Sequence, residues 1–573
     1  MAPPLSGDEL HSRVAAAKWC VKKSDLTTLR GVVRQEIEAG RLVPHARDDF
    51  DVADEACGPS MYTLNDQFVK PVTAAAGGMS YALMLHPKGL QCDLFITHAW
   101  QEGIFEFLDK VLNSWPQRSR HAWCCVFSNP QNLNISSLIR SPASSPFAFA
   151  LKSSKTMLVV SNAKVSIYTR LWCCYEAFLA YESEKVILTA QPPQGMACLR
   201  ALPAVLCCQL AGCVLSMIFT SWEFERLIVI YAVCIYILIV ASVFLSSNII
   251  RHRVNCAGAL CAGYFAGIMY DIRSRHVISL YAEHDADHIA MVLSEMDWES
   301  LLVQSAVASF LYFTIAEVDR ARNESFTREA RELRHGYTGS IREAACSEAS
   351  DEARIRAEIG ASAANVDATI RVLIDAGIST SDLRRATSLG VDVKNFSDVG
   401  WAFFVYTWGN SLGILHSAFI MSLLNTMCAA SYGILLFALS VDARVFAFRV
   451  LQKTSLAVEW PATLSALILL QMYPHVNCER VLKITIAARL AMWLVVLPLA
   501  WARIHSVAAL PGCGRCLAQV FAARGVRRTL QLDRWYYRTG SSGSESDSSD
   551  EMCSKYCMCD DSDEQSLQSH WHA

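Results

Sequence analysis

The sequence predicts an α/β domain on a parallel sheet, joined to a helical membrane bundle through a helical cytosolic linker domain. Three observations carry this. Short apolar runs alternate with amphipathic stretches between residues 90 and 190. Two runs without a charged side chain, 201–220 and 227–246, each have the length of a bilayer-spanning helix. Hydrophobic residues make up 53% of the chain against 18% charged, a balance too apolar for an ordinary soluble protein.

Residues 1–60 read as a helical or irregular extension. Met1–Leu10 has neither a basic start nor an apolar core, so no signal peptide is expected and the first domain should stay in the cytosol. The next segment, 61–195, holds the strands. Cys92–Trp100 is the first apolar run, followed by Gly103–Leu112 with apolar residues at 104, 105, 107, 108, 111 and 112. That spacing fits one face of a helix. His121–Phe127, Lys155–Val160 and Lys185–Ala190 supply three more strands, with a helix from Tyr168 onward between the last two. Strands alternating with helices imply a parallel sheet. Trp172 and Glu176 stand four residues apart on one helical face, a carboxylate beside an indole. The ligand edge of such a sheet lies outside the carboxyl ends of its strands, which is where this turn falls. The plainer alternative has Glu176 capping or pairing with a loop while Trp172 fills the core.

These residues resemble a known family. Asp93-Leu-Phe-Ile-Thr-His98 resembles the first-strand box of Toll/interleukin-1 receptor (TIR) domains. Ser161-Asn162 with Trp172-Cys173-x-x-Glu176 resembles that family's Ser…Trp-Cys-x-x-Glu box. The first box departs from the pattern: Thr97-His98-Ala99 stands where the family more often has Ser-Tyr or Ser-Phe. The family's last strand and helix are not evident, because a membrane-grade segment begins near Ala201. The resemblance therefore implies a TIR-like, flavodoxin-like parallel sheet in truncated form.

It also implies two functions. In one, the domain signals by self-association into a homo-oligomer or by recruiting partners. In the other, it is a NAD glycohydrolase that cleaves the nicotinamide–ribose bond, with NAD as substrate and no resident cofactor or metal. Glu176 is then the catalytic carboxylate, and Trp100, Trp172 and Tyr175 are the candidates to stack on a planar base. Such cleavage passes through an oxocarbenium-like state that a carboxylate stabilises.

The remainder reads as membrane and linker. Residues 201–250 form a transmembrane hairpin, and Arg251-His252-Arg253 returns the chain to the cytosol. Residues 251–400 are charged and helical in pattern, with Ala257–Tyr270 and Leu301–Ala316 as interfacial or packed helices. A four-helix membrane block at 401–505 brings the expectation to six spans, with both termini cytosolic and membrane lipid as the implied partner. Its internal loop, Asp442–Arg449, is basic. Asn410, His416, Asn425, Glu459 and Arg489 lie in or near spans and keep open a channel or transporter with a cytosolic regulatory domain. Residues 506–573 combine a basic juxtamembrane segment with an acidic, serine-rich disordered tail. The net charge of −3 offers no basic surface for nucleic acid. The 22 cysteines, in a chain facing the cytosol, are expected to be reduced structural thiols. The cluster His284, Asp285, Asp287 and His288 reads as a solvated helical face rather than a metal site.

Overall fold

The computed structural model describes residues 6–219, 224–245, 247–282, 286–346 and 349–397, then 401–403, 405–406, 439, 441–459 and 498–522, with scattered positions between 461 and 496. Six strands make one mixed sheet in the order β1-β3-β2-β4-β5-β6. They are β1 Val21–Lys22, β2 Leu94–Thr97, β3 His121–Cys124, β4 Thr156–Val159, β5 Val186–Thr189 and β6 Ile378–Ser379. The four central strands are parallel, with Leu94 level with both Ala122 and Thr156. The two edge strands pair antiparallel. The chain goes from β2 to β3 on one side and returns to β4 on the other. The crossover direction therefore reverses between β2 and β4, as in doubly wound sheets.

All four residues of β2 are buried, as expected of a central strand covered on both faces. Leu94 and Ile96 enter one core with Leu26, Leu29 and Val33 of helix α1 (Lys23–Glu38) and Phe107 and Leu108 of α2 (Ile104–Ser114). Phe95, Trp123 and Met157 enter the other, with Leu151 of α3 (Pro146–Ser153) and Leu171 and Tyr175 of α4 (Leu171–Glu182).

Segments expected as separate domains complete this sheet. Residues 21–22 add β1 to one edge, and 378–379 add β6 where a fifth parallel strand would otherwise follow. Helices α9 (Ala349–Ile359) and α10 (Ala363–Ala376) share the core of α4 through Ile355, Ile359, Val366 and Ile370. Gly377, at φ 74°, ends α10 in the left-handed conformation that an unbranched backbone takes without strain.

Two helices among the described residues are long and apolar enough to cross a membrane: α5 (Gly195–Ile218), and the 227–244 portion of α6 (Phe224–Phe244). On α5, Leu206, Leu210, Val214, Met217 and Ile218 are exposed, an outward apolar surface suited to lipid. Ala257–Tyr270 lies inside α7 (Asn248–Ala282), packed tightly against α5. An added Cβ at Gly263 would overlap the Gln209 carbonyl, and one at Gly267 the Ser216 hydroxyl. Glycines four apart thus let two backbones meet, as in membrane helix pairs. Leu301–Ala316 lies within α8 (Ala286–Arg334), where Tyr312 and Phe313 are buried.

The four spans expected in 401–505 fall mostly outside the described residues, as do Asn410, His416, Asn425, Arg489, His284, Asp285 and the tail. One difference is clear. The expected basic loop Asp442–Arg449 is part of helix α11 (Val441–Thr454). Arg449 is buried there and donates to the carbonyls of Asn395 and Ala522. Its charge therefore serves packing, which the positive-inside reading could not distinguish.

Candidate functional site

The carboxyl ends of β2, β3 and β4 meet the first turns of α4. After β2 come His98, Ala99, Trp100, Gln101 and Glu102. β3 stops at Cys124, and Cys125 opens a one-turn helix, Cys125–Ser128, instead of extending the strand to Phe127. After β4, the Asn162 side chain accepts from the backbone N–H groups of Lys164 at 3.0 Å and Val165 at 3.1 Å, fixing the turn that leads to α4. Helix α4 then carries Cys173 and Glu176, three apart on one face.

Glu176 is 5% exposed, and its Oε2 has no hydrogen-bond partner within the protein. Burial pushes its carboxyl up to about 7, against the opposing pull of Thr97, His98 and Arg170. Thr97 faces the carboxylate, yet its hydroxyl is not placed to complete a hydrogen bond. Arg170 is half-buried beside Cys173, Tyr62, Cys125 and Glu176, and its Nη1 also lacks a partner. His98 and Glu102 are both buried, 2.8 Å apart from Nδ1 to Oε1. Burial, reinforced by Glu106, holds the Glu102 carboxyl well above the usual carboxylate range.

Buried polar atoms without a partner recur along these segments: Thr97 Oγ1, Gln101 Oε1, Glu102 Oε2, Asn162 Nδ2, Arg170 Nη1 and Glu176 Oε2. Folded chains satisfy nearly all such groups, so a concentration of them at the crossover reversal of a parallel sheet points to a ligand site.

The other residues expected at the site are spread around it. Trp172 is half-buried and stacks on Phe147, with ring centres 5.3 Å apart. Tyr175 is fully buried, and its hydroxyl donates to Glu358 of α9, so it packs the core rather than facing a ligand. Trp100 is half-buried against Tyr62 at 5.3 Å, and Tyr62 in turn neighbours Arg170. Ser161, the serine of the second box, is structural. Its hydroxyl donates to Glu329, and its carbonyl accepts from Lys110 at 2.9 Å. Lys110 also pairs with Glu106 at 2.9 Å and with Glu329 and Glu332 of α8 at 2.8 Å each. This network ties α8, which also packs along α5 and α7, to the end of β4.

Sequence reasoning missed Glu102, Arg170 and Cys125. Arg170 directly precedes α4 and carried no pattern of its own. Cys125 was hidden in an apolar run that read as uninterrupted strand. No family model, curated protein or solved structure matches the chain.

Proposed function

We propose that the α/β domain is a TIR-like hydrolase, held at a membrane by α5 and α6, that cleaves the nicotinamide–ribose bond of NAD. One observation carries the reading: Glu176 is buried at the sheet's crossover reversal with Oε2 lacking a hydrogen bond and its carboxyl balanced at about 7. A buried carboxyl so perturbed beside an arginine and a histidine is a candidate for catalysis. As the glycosidic bond lengthens, positive charge spreads over the ribose carbon and ring oxygen, and the Glu176 carboxylate opposes it at short range. Nicotinamide leaves as a neutral molecule and needs no proton. Arg170, with a free N–H donor, suits a phosphate oxygen of the dinucleotide. Trp100 and Tyr62 offer aromatic faces next to it. Signalling through assembly alone leaves the carboxylate unexplained, since an unpartnered buried acid weakens the fold and adds nothing to a docking surface.

The test is nicotinamide release by the full chain in membranes, compared with Glu176→Gln. Release by the wild type and none by the variant supports the reading. Equal release, or none from clustered wild-type protein, overturns it and leaves assembly standing.

A further inference from the structure

We propose that Cys125 is a nucleophilic thiol, activated by His98 and reactive towards soft carbon electrophiles of the α,β-unsaturated carbonyl class. Its Sγ is 3.2 Å from His98 Nε2. On the other side of the ring, Nδ1 is 3.3 Å from the Ala99 carbonyl, in line for a hydrogen bond. Glu102 Oε1 is closer, at 2.8 Å, but out of line. In the tautomer that donates from Nδ1 to the Ala99 carbonyl, the Nε2 lone pair faces the thiol. The imidazole is buried, and Cys125 is half-buried beside it.

Nucleophile, base and a buried acid beside the base form the arrangement that covalent catalysis uses. When His98 takes the thiol proton, the imidazolium lies against Glu102 and near Glu176. The thiolate gains from Arg170, which is in electrostatic contact with Cys125. The neighbouring cysteines are different. Burial pushes the thiols of Cys124, Cys173 and Cys174 upward, which keeps them protonated and inert near pH 7. Elsewhere, Cys256 is 3.8 Å from His252 Nε2, a looser approach.

The step balances without an oxidant or leaving group. The sulfur bonds to the β-carbon, the alkene π pair moves to the α-carbon through the carbonyl, and that carbon takes the proton held by His98. A thioether results, next to Arg170 and Glu176.

The experiment treats the full chain in detergent with substoichiometric N-ethylmaleimide and follows adducts at each cysteine by peptide mass spectrometry. Cys125 should react about tenfold faster at pH 7 than Cys57 and Cys346, which are half-buried and have no hydrogen bond to an imidazole among the described residues. His98→Gln should lower the Cys125 rate to theirs. Because that buried substitution can perturb folding, Cys346 in the same variant is the control, and its rate should stay at the wild-type value. Equal rates for the three cysteines in the wild type, or an unchanged Cys125 rate in His98→Gln, would overturn the proposal. The readout is the adduct itself, so it stands or falls whether or not NAD is cleaved.

Discussion

Glu176→Gln should make the protein more stable at neutral and alkaline pH. The folded carboxyl titrates at about 7 against an ordinary value of 4.5, because burial penalises its charged form. A raised acid holds its proton in the folded state over a window where the unfolded chain has released it. The stability this confers is therefore full below about 4.5 and is lost as pH climbs through 7. The shift is worth at most about 3 kcal/mol, taking 1.36 kcal/mol for each unit. Glutamine keeps the shape, carries no charge and can donate to the unpartnered Thr97 hydroxyl. Thermal melts of the full chain, followed by tryptophan fluorescence, should show the variant and wild type together near pH 4.5. At pH 8 the variant should melt several degrees higher. A gap that does not change with pH, or a less stable variant at pH 8, would refute the burial argument.

Lys110→Met should destabilise by about 3–5 kcal/mol, since it leaves Glu329 and Glu332 facing each other without their cation. Adding Glu329→Gln should recover much of that loss in a denaturant titration. Trp172→Ala should cost roughly 2 kcal/mol, the stacking on Phe147 plus part of the ring's burial, because the indole is only half-buried. If α5 and α6 cross the membrane as a hairpin, tags at Met1 and near Arg334 should report the same side. Asn323, buried at 4% exposure, should carry no glycan, and a mass shift with glycosidase would count against that topology.

The central strands, the helix carrying Trp172 and Glu176, and the first two apolar helices were legible because each repeats one physical pattern over several residues. β1 and β6 were not, since two residues carry no periodicity and edge pairing joins segments about one hundred (β1–β3) and about one hundred and ninety (β5–β6) positions apart. Nor was the burial of Glu176. The spacing placed it one turn inside a helix at the ligand edge of the sheet, as found, but said nothing of its enclosure. Its enclosure depends on Thr97, His98 and Arg170 converging from other elements. The burial of Tyr175 was not legible either, for a related reason. Its neighbour in the motif faces the site, while its own ring meets α9, a helix that no local pattern connects to α4.

The most direct test of the central claim is the pH dependence of nicotinamide release by the full chain with saturating NAD. The ionised Glu176 carboxylate is the active form, so the rate should rise through about pH 7 and level off above it. A profile already flat above pH 5, or the same profile in Glu176→Gln, would contradict the assignment of that buried carboxylate to the chemistry.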